Sequence, residues 1–246
     1  MRNVPLLGVR LADLDAIGAA AAIAAHPAAA PFRYVLTPNA DNFVRLSRDA
    51  EMRRIYDGAW LRLLDSRVVA RAGRLLGLQA PRVAPGSDLT GHLLRTHVRP
   101  GERVTVIGLR PAFLSRLVDR CGIAEPFHHD PPMGFDRDPA AFAEAVAFVL
   151  AHPARFVFLA VGSPRQERLA AAIAATGQAR GVGLCVGASL DFLAGAVPRA
   201  PRWMQHAGIE WLHRLASDPK RLGRRYLVED PPVFGLLLRE RLAQRA

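Results

Sequence analysis

Short apolar runs alternate along residues 33–186 with longer segments in which apolar positions recur at helical spacing. The run 155–161 is apolar at nearly every position, which is typical of a strand covered on both faces of a sheet. Runs of this kind predict strands at 33–37, 60–64, 103–107, 155–161 and 182–186. Helical spacing predicts helices at 41–58, 68–76, 87–97, 111–121, 139–151 and 165–175. The alternation predicts an α/β fold, with a mostly parallel sheet flanked by helices on both faces.

Beyond residue 195 the pattern changes from alternating strands and helices to helices alone. Helical segments are predicted at 203–216, 219–228 and 233–244, and prolines separate them. We therefore predict two parts, an α/β core at residues 1–195 and a basic helical appendage at residues 196–246.

Composition excludes several classes of protein. Half of the 246 residues are apolar and 22% are charged, unlike a disordered or collagen-like chain. The uncharged run 16–25 is too short to span a bilayer and no signal peptide precedes it, so a soluble cytoplasmic protein is expected. Two cysteines, Cys121 and Cys185, are too few for a disulfide framework or a zinc site, and both are expected to be buried.

Positive charge is concentrated in the appendage. The chain carries 33 Lys and Arg against 22 Asp and Glu, a net charge of +11, and Lys220 is its only lysine. The appendage holds ten basic and five acidic residues, about three times the net charge density of the core. Because arginine binds phosphate through two parallel hydrogen bonds, an anionic partner is expected. Composition alone leaves nucleic acid, a nucleotide, phospholipid and a diphosphate-linked substrate open.

Polar residues and glycines follow each predicted strand. Ligands of parallel α/β sheets bind beyond the carboxyl ends of the strands, so these residues are expected to line one cleft. Glycines let the backbone approach a ligand, and helix N-termini offer N–H donors to an anion. The cleft would therefore suit a nucleotide diphosphate. In chain order, the strand ends carry Thr37 and Asn39, Asp65 and Ser66, Gly108 and Arg110, Gln166 and Glu167, and Gly187 and Asp191.

Two carboxylates have both a structural and a functional interpretation. Asp65 follows a buried strand, where either it or Ser66 could cap the helix at 68–76. The alternative for Asp65 is a general base whose pKa is raised by partial burial. Asp88 opens a predicted helix, which favours a capping role over catalysis.

Other motifs are less specific. Residues 128–130 (His-His-Asp) and 136–138 (Asp-Arg-Asp) contain metal-ligand types, but no clear strand leads into the second, so a solvated loop is favoured over a metal site. Gly181 and Gly183 lack the spacing of a dinucleotide fingerprint, and the chain has no Walker A motif. Four basic residues share one side of a predicted helix, where they either face solvent or bind an anion: Lys220, Arg221, Arg224 and Arg225.

Several ordered blocks of the chain resemble the WecG/TagA/CpsF family of glycosyltransferases. The blocks extend over nearly the whole chain, and their order and spacing are more specific than any one of them. They are 37–39, Asp65 with 74–77, Arg82 with 86–89, 162–167, 186–195, 199–204, 208–215 and 219–226. The resemblance implies a Rossmann-like α/β core of the GT-E type with a C-terminal helical appendage.

The resemblance also implies an activity. Family members are inverting glycosyltransferases that move a sugar from a UDP-sugar to a saccharide on polyprenyl diphosphate, in the synthesis of exopolysaccharides and other bacterial cell-surface polysaccharides. They act as peripheral proteins at the inner face of the cytoplasmic membrane, without a bound divalent metal and with no cofactor besides the donor. The expected partners are thus the UDP-sugar, the lipid-linked acceptor and an anionic membrane surface, and no nucleic acid. A homo-oligomer is left open.

By position, the resemblance assigns roles to residues of this chain. Asp65 matches the proposed catalytic base, with Thr37 and Asn39 in the same pocket. Ser66 and Ala188 stand where glycine is usual in the family, so neither the sugar nor the acceptor is carried over. The expected contacts with the substrate or nucleotide come from strand ends and the appendage: Gly108, Arg110, Gln166, Glu167, Gly187, Asp191, Arg214, Arg221 and Arg224.

Two other functions remain open at the level of sequence. A non-catalytic nucleotide-binding module would keep the glycine-marked strand ends without needing Asp65. A nucleic-acid-binding protein would also be basic, but 7% aromatic residues and the lack of a recognised motif argue against it. Residues 233–245 form an amphipathic, arginine-flanked segment that either lies on anionic lipid or packs on the core.

Overall fold

The structure, a computed structural model, describes residues 1–245. A hairpin of β1 (Asn3–Leu6) and β2 (Val9–Ala12) precedes a six-stranded sheet. The sheet contains β3 (Arg33–Leu36), β4 (Leu61–Arg62), β5 (Thr105–Gly108), β6 (Phe127–His129), β7 (Phe156–Ala160) and β8 (Val182–Cys185). Its strands are all parallel, in the order β4-β3-β8-β7-β5-β6. The predicted α/β class is confirmed.

Helices flank the sheet and form the C-terminal region. Those of the core are α1 (Ala16–Ala24), α2 (Ala40–Leu46), α3 (Ala50–Gly58), α4 (Arg67–Leu75), α5 (Gly86–Thr96), α6 (Leu114–Cys121), α7 (Pro139–Ala151), α8 (Arg165–Ala175) and α9 (Ser189–Ala194). Those of the appendage are α10 (Arg202–Ala207), α11 (Glu210–Ser217), α12 (Pro219–Arg224) and α13 (Pro232–Ala243). A π-helical turn at Arg225–Glu229 follows α12 directly.

Two predicted helices are each divided in the structure. The helix expected at 41–58 is α2 and α3, because the Asp49 side chain accepts a hydrogen bond from the Met52 N–H at 3.0 Å and starts a new helix. The helix expected at 203–216 is α10 and α11, because Gly208 adopts a left-handed conformation with φ of 72°. In both cases apolar spacing continues across the break, so periodicity alone does not reveal it.

Four of these elements were not predicted at all: the N-terminal hairpin, α1, β6 and α9. The hairpin turns at Leu7 and Gly8, both with positive φ. Strand β6 has only three residues, too few for a periodic signal, and extends the sheet beyond β5. The strands that were predicted are all present, although β4 and β7 are shorter than expected.

Two apolar clusters cover the faces of the sheet. Successive residues of a strand alternate between them, so Tyr34 and Leu36 pack in one cluster and Val35 in the other. The first cluster also contains Val233 and Leu237 of α13, which packs against α2 and α4. The last appendage helix is therefore built into the core of the protein, while the boundary at residue 195 stays a prediction.

The structure bears on two further features of the sequence, the cysteines and the length of its apolar helices. Cys121 and Cys185 are buried and free, as predicted. Within residues 1–245, no helix has both the length and the apolar character needed to cross a bilayer.

Candidate functional site

A cavity of about 540 Å³ opens beyond the carboxyl ends of β3, β4, β7 and β8. Loops after these strands form its core side, and α11, α12 and the π-helical turn form its appendage side. The cavity brings together seven of the predicted site residues: Thr37, Asn39, Asp65, Gln166, Gly187, Arg214 and Arg221. The convergence follows from parallel strand direction, which places successive strand ends at one edge of the sheet.

Asp65 lies in this cavity between β4 and α4. Its N–H donates to the Pro38 carbonyl at 2.9 Å, which ties the β4 end to the β3 end. Its Oδ1 accepts a hydrogen bond from the Gly86 N–H, at the start of α5, at 3.1 Å. The cap of α4 is Ser66, whose hydroxyl accepts from the Val69 N–H at 3.2 Å. The capping role is thus filled, and the Asp65 carboxylate faces the cavity.

The surroundings of Asp65 disfavour its charged form. Burial raises its pKa from the ordinary value of 3.8 to about 7. The negative charges of Glu210 and Asp88 add to this rise, whereas the Gly86 N–H and the Arg214 guanidinium oppose it. A carboxyl group with a pKa near 7 can accept a proton at neutral pH, which is what a general base requires.

Gly86 leaves space for the Asp65 carboxylate. A Cβ at this position would lie 3.2 Å from the Thr37 hydroxyl, 3.5 Å from the Ser189 hydroxyl and 3.6 Å from Asp65 Oδ2. A side chain at position 86 would therefore crowd the Thr37 hydroxyl and fill the space beside Ser189 and the Asp65 carboxylate. From the sequence, Gly86 was noted only within block 86–89 of the family resemblance, and its closeness to Thr37 was not predicted.

Replacing Gly86 with alanine is expected to lower kcat/KM by about tenfold to a hundredfold, because small displacements of reacting groups are costly. Steady-state kinetics on the purified variant would measure the change. Gly235→Ala in α13 is the matched control, since a Cβ there meets no atom within 4 Å. Equal activity of the two variants would contradict the steric argument.

The loop between β7 and α8 is held by two adjacent side chains. Gln166 Oε1 accepts from the Gly187 N–H at 2.9 Å, and Gln166 Nε2 donates to Glu167 Oε1 at 3.3 Å. Glu167 is buried beneath the cavity rather than lining it, and burial raises its pKa. Gly187 was expected to contact the substrate or nucleotide, and in this structure its N–H donates to Gln166.

Arg225, one of the four basic residues on the predicted helix, lines the cavity, although the resemblance did not assign it a contact with the substrate. Its Nη2 donates to Asn39 Oδ1 at 3.3 Å, and its side chain is 29% exposed. Arg224, to which the resemblance did assign such a contact, lies outside the cavity with 83% of its side chain exposed and pairs with Glu229 at 2.9 Å. The π-helical turn begins between the two residues and changes the helical register that the prediction assumed.

Asn42 connects two of the strand-end loops at the wall of the cavity. Its Oδ1 accepts from the Asn39 N–H at 3.0 Å, and its Nδ2 donates to the Ser163 hydroxyl at 3.1 Å. The side chain is buried, with 4% of the residue exposed. The loops after β3 and β7 are therefore linked by a satisfied buried amide.

Three further predicted site residues do not line the cavity: Gly108 at the end of β5, Arg110 just after it, and Asp191 in α9. A Cβ on Gly108 would lie 2.9 Å from the Ala160 backbone, so this glycine permits the close approach of β5 to β7. Burial raises the pKa of Asp191, and the charges of Arg110 and Arg221 oppose that rise. Arg110 also lies over the Phe113 ring at 4.6 Å. Arg221 is thus close enough to act on both Asp191 and the cavity.

The acidic and histidine motifs take part in local packing. His128 Nε2 lies 2.8 Å from the Leu109 carbonyl, and Asp138 caps α7 by accepting from the Ala140 N–H at 2.9 Å. Asp88 is not a cap, because α5 begins after Pro85; it lies within the first turn instead. Across the described residues, no group of three or more His, Cys, Asp or Glu side chains could hold a metal ion.

A comparison with protein families agrees with the resemblance seen in the ordered blocks. The model described as "Glycosyl transferase WecG/TagA/CpsF family" matches residues 4–246 of the chain. The match covers both the strand-end residues of the cavity and the appendage that closes over it.

Proposed function

The chain belongs to the WecG/TagA/CpsF family of glycosyl transferases, and from that premise we propose that it moves a sugar from a UDP-sugar to a saccharide on polyprenyl diphosphate. The product would enter exopolysaccharide or another cell-surface polysaccharide. The observation that carries the proposal is Asp65 in the cavity at the strand ends, with its pKa raised to about 7 by burial.

The proposed reaction is a direct displacement with inversion at the anomeric carbon. Asp65 takes the proton of an acceptor hydroxyl while that oxygen forms a bond to the anomeric carbon of the donor sugar. The bond between the anomeric carbon and the diphosphate oxygen breaks, and UDP leaves with the electron pair. The general base prevents a positively charged oxygen from building up on the acceptor, which is typically worth about 10²- to 10⁴-fold in rate.

Departure of UDP requires compensation of developing negative charge. Arg214, Arg221 and Arg225 line the appendage side of the cavity that holds Asp65. Their guanidinium groups suit a diphosphate because each presents two parallel N–H donors. We propose that these three arginines, rather than a metal ion, compensate the negative charge of the leaving group. Arg225 thereby joins the arginines that the resemblance implied.

The function is tested by measuring UDP release from a panel of UDP-sugars, with and without a short-chain lipid diphosphate saccharide as acceptor. Release that requires both substrates and survives EDTA supports metal-independent transfer. Binding of a UDP-sugar without any release would instead indicate a non-catalytic nucleotide-binding module. Loss of release on chelation, restored by Mg²⁺, would overturn the assignment of charge compensation to the arginines.

Contact with the membrane is proposed through the outer face of the appendage. Leu227 and Val228, in the π-helical turn, are 64% and 65% exposed, and α13 adds further exposed apolar residues. Each arginine of the appendage that lies near an anionic surface would contribute about 1 kcal/mol to membrane binding. These features support a peripheral protein at the inner face of the cytoplasmic membrane, where a polyprenyl-linked acceptor is presented.

The double variant Leu227→Ser/Val228→Ser is expected to lose most of its flotation with vesicles that contain anionic phospholipid. Burying each of these side chains in lipid stabilises binding by about 1.5–3 kcal/mol, so partitioning falls tenfold or more. The matched control is Ile17→Ser/Met133→Ser, which removes two exposed apolar side chains from the core part. Equal flotation of the two double variants would reject the proposed membrane face.

A further inference from the structure

Arg199 joins the core to the appendage beside the cavity. It lies in the segment between α9 and α10, and its Nη2 is 2.7 Å from Asp88 Oδ1 in the first turn of α5. Its Nε is 3.9 Å from Oε1 of Glu210, the first residue of α11. The three side chains are 23–33% exposed, so solvent screens their charges only in part.

The two helices that Arg199 connects are the ones that present charged and polar groups to Asp65. Helix α5 begins at Gly86, whose N–H donates to the Asp65 carboxylate. Helix α11 carries Glu210 and, one turn later, Arg214, and both line the cavity. Arg214 also lies over the Phe192 ring at 5.4 Å. A change in how α11 sits on α5 would therefore move these charges relative to Asp65.

The charges nearest to Asp65 are of both signs. Asp88 and Glu210 disfavour ionisation of its carboxyl group, whereas Arg214 favours it. Arg199 is the cation that contacts both of these acidic side chains in the structure. The other charged residues that line the same cavity are Arg67, Arg221, Arg225 and Asp230.

We infer that Arg199 is a positioning residue: by pairing with Asp88 and Glu210 it fixes the start of α11 against the start of α5 and shields Asp65 from their negative charge. The inference rests on the proposed role of Asp65 as general base. It assigns Glu210 a role as well, as the acidic group of the appendage that Arg199 holds beside the reacting carboxylate.

Two variants that break the same contact are expected to move the pH profile in opposite directions. In Arg199→Met, the two carboxylates lose their counter-charge, so Asp65 holds its proton more tightly and the acid limb of kcat/KM moves to higher pH. In Glu210→Gln, a like charge is removed, so the acid limb moves to lower pH. Each shift is expected to be on the order of half a pH unit.

Opposite shifts of the acid limb distinguish an electrostatic role of Arg199 from a purely structural one. If Arg199 only held the helices together, removing either partner would loosen the same joint and change activity in the same direction. Arg199→Lys keeps the charge and is expected to restore the acid limb close to its original position. Arg82→Met is the matched control, since Arg82 also pairs with two carboxylates, but these are Asp13 and Asp15, which are not among the charges that act on Asp65.

Infrared difference spectroscopy provides a second readout that does not depend on turnover. The carboxyl band that disappears in Asp65→Asn is titrated in each variant, with thermal unfolding to confirm that the variant is folded. Asp88→Asn, which also removes a like charge, replaces Arg199→Met if the latter does not fold, and a downward shift of the titration is expected.

The outcomes are distinguishable. Opposite shifts of the Asp65 band with no transferase activity in any form of the protein would retain the inference about Arg199 and overturn the proposed function. Shifts in the same direction for Arg199→Met and Glu210→Gln would overturn the inference. No shift in Glu210→Gln and Asp88→Asn, or a shift of the same size in Arg82→Met, would overturn it as well.

Discussion

Asp65→Asn is expected to reduce kcat by about 10²- to 10⁴-fold, because the amide cannot accept the proton of the acceptor hydroxyl. The change is isosteric, and the amide oxygen can still accept a hydrogen bond from the Gly86 N–H. Binding of UDP, measured by calorimetry, is expected to persist, since the cavity arginines are unchanged. Turnover within a factor of three of the unaltered protein would remove Asp65 from the mechanism.

The pH dependence of turnover follows from the raised pKa of Asp65. Below pH 7 an increasing fraction of the carboxyl group is protonated and cannot act as a base, so kcat/KM is expected to fall about tenfold per pH unit. Above pH 7 the profile is expected to level off. A pH–rate profile that stays flat down to pH 5 would contradict the assignment.

Asp65→Asn is also expected to change the free energy of unfolding, in a direction that the raised pKa of Asp65 fixes. The pKa of Asp65 rises from 3.8 to about 7 in the folded protein, so ionisation opposes folding. Its unfavourable contribution grows as the pH rises from about 4 to 7 and is constant above that range. Urea denaturation should therefore show Asp65→Asn to be more stable than the unaltered protein at pH 8, with little difference at pH 4.

Leu237→Ala is expected to lower the free energy of unfolding by about 2–5 kcal/mol, the usual cost of a cavity at a fully buried leucine. Leu237 is 0% exposed and belongs to the apolar cluster on one face of the sheet. Its Cδ2 and Leu6 Cδ1 both approach Gly73 of α4. Urea denaturation followed by circular dichroism would measure the loss.

The neighbouring residue provides the control for Leu237. Leu238 is 49% exposed, and Leu238→Ala is expected to change stability by no more than about 0.5 kcal/mol. If both variants unfold like the unaltered protein, α13 is not part of the cooperative core. If Leu237→Ala alone is destabilised, the buried face of α13 is part of the cooperative core.

Much of the fold was predictable because strands and helices have different apolar periods. The runs at 155–161 and 182–186 are apolar at nearly every position and 33–37 has an apolar centre, and β3, β8 and β7 are neighbouring interior strands of the sheet. Strand β6 and the breaks at Asp49 and Gly208 were missed. A three-residue strand has no measurable period, and a break between two amphipathic helices leaves the period intact.

The cavity was predictable from the same pattern only in outline. Parallel strands bring their carboxyl ends together, which is enough to place Asp65 near Thr37 and Gln166. The sequence did not predict which side chain at each strand end points into the cavity. Glu167 is buried beneath the cavity while Gln166 lines it, because rotation along α8 separates neighbours that are adjacent in sequence.

By itself, the sequence determined the α/β class, the family and the polar strand ends, all of which are properties of residue order and spacing. Tertiary structure alone decided that Arg225 rather than Arg224 lines the cavity, that α13 is part of the core, and that Arg199 joins Asp88 to Glu210. Each of these depends on the packing of segments that are distant in the chain. The raised pKa of Asp65 has the same origin, because only folding buries its carboxyl group and brings the charges of α5 and α11 close to it.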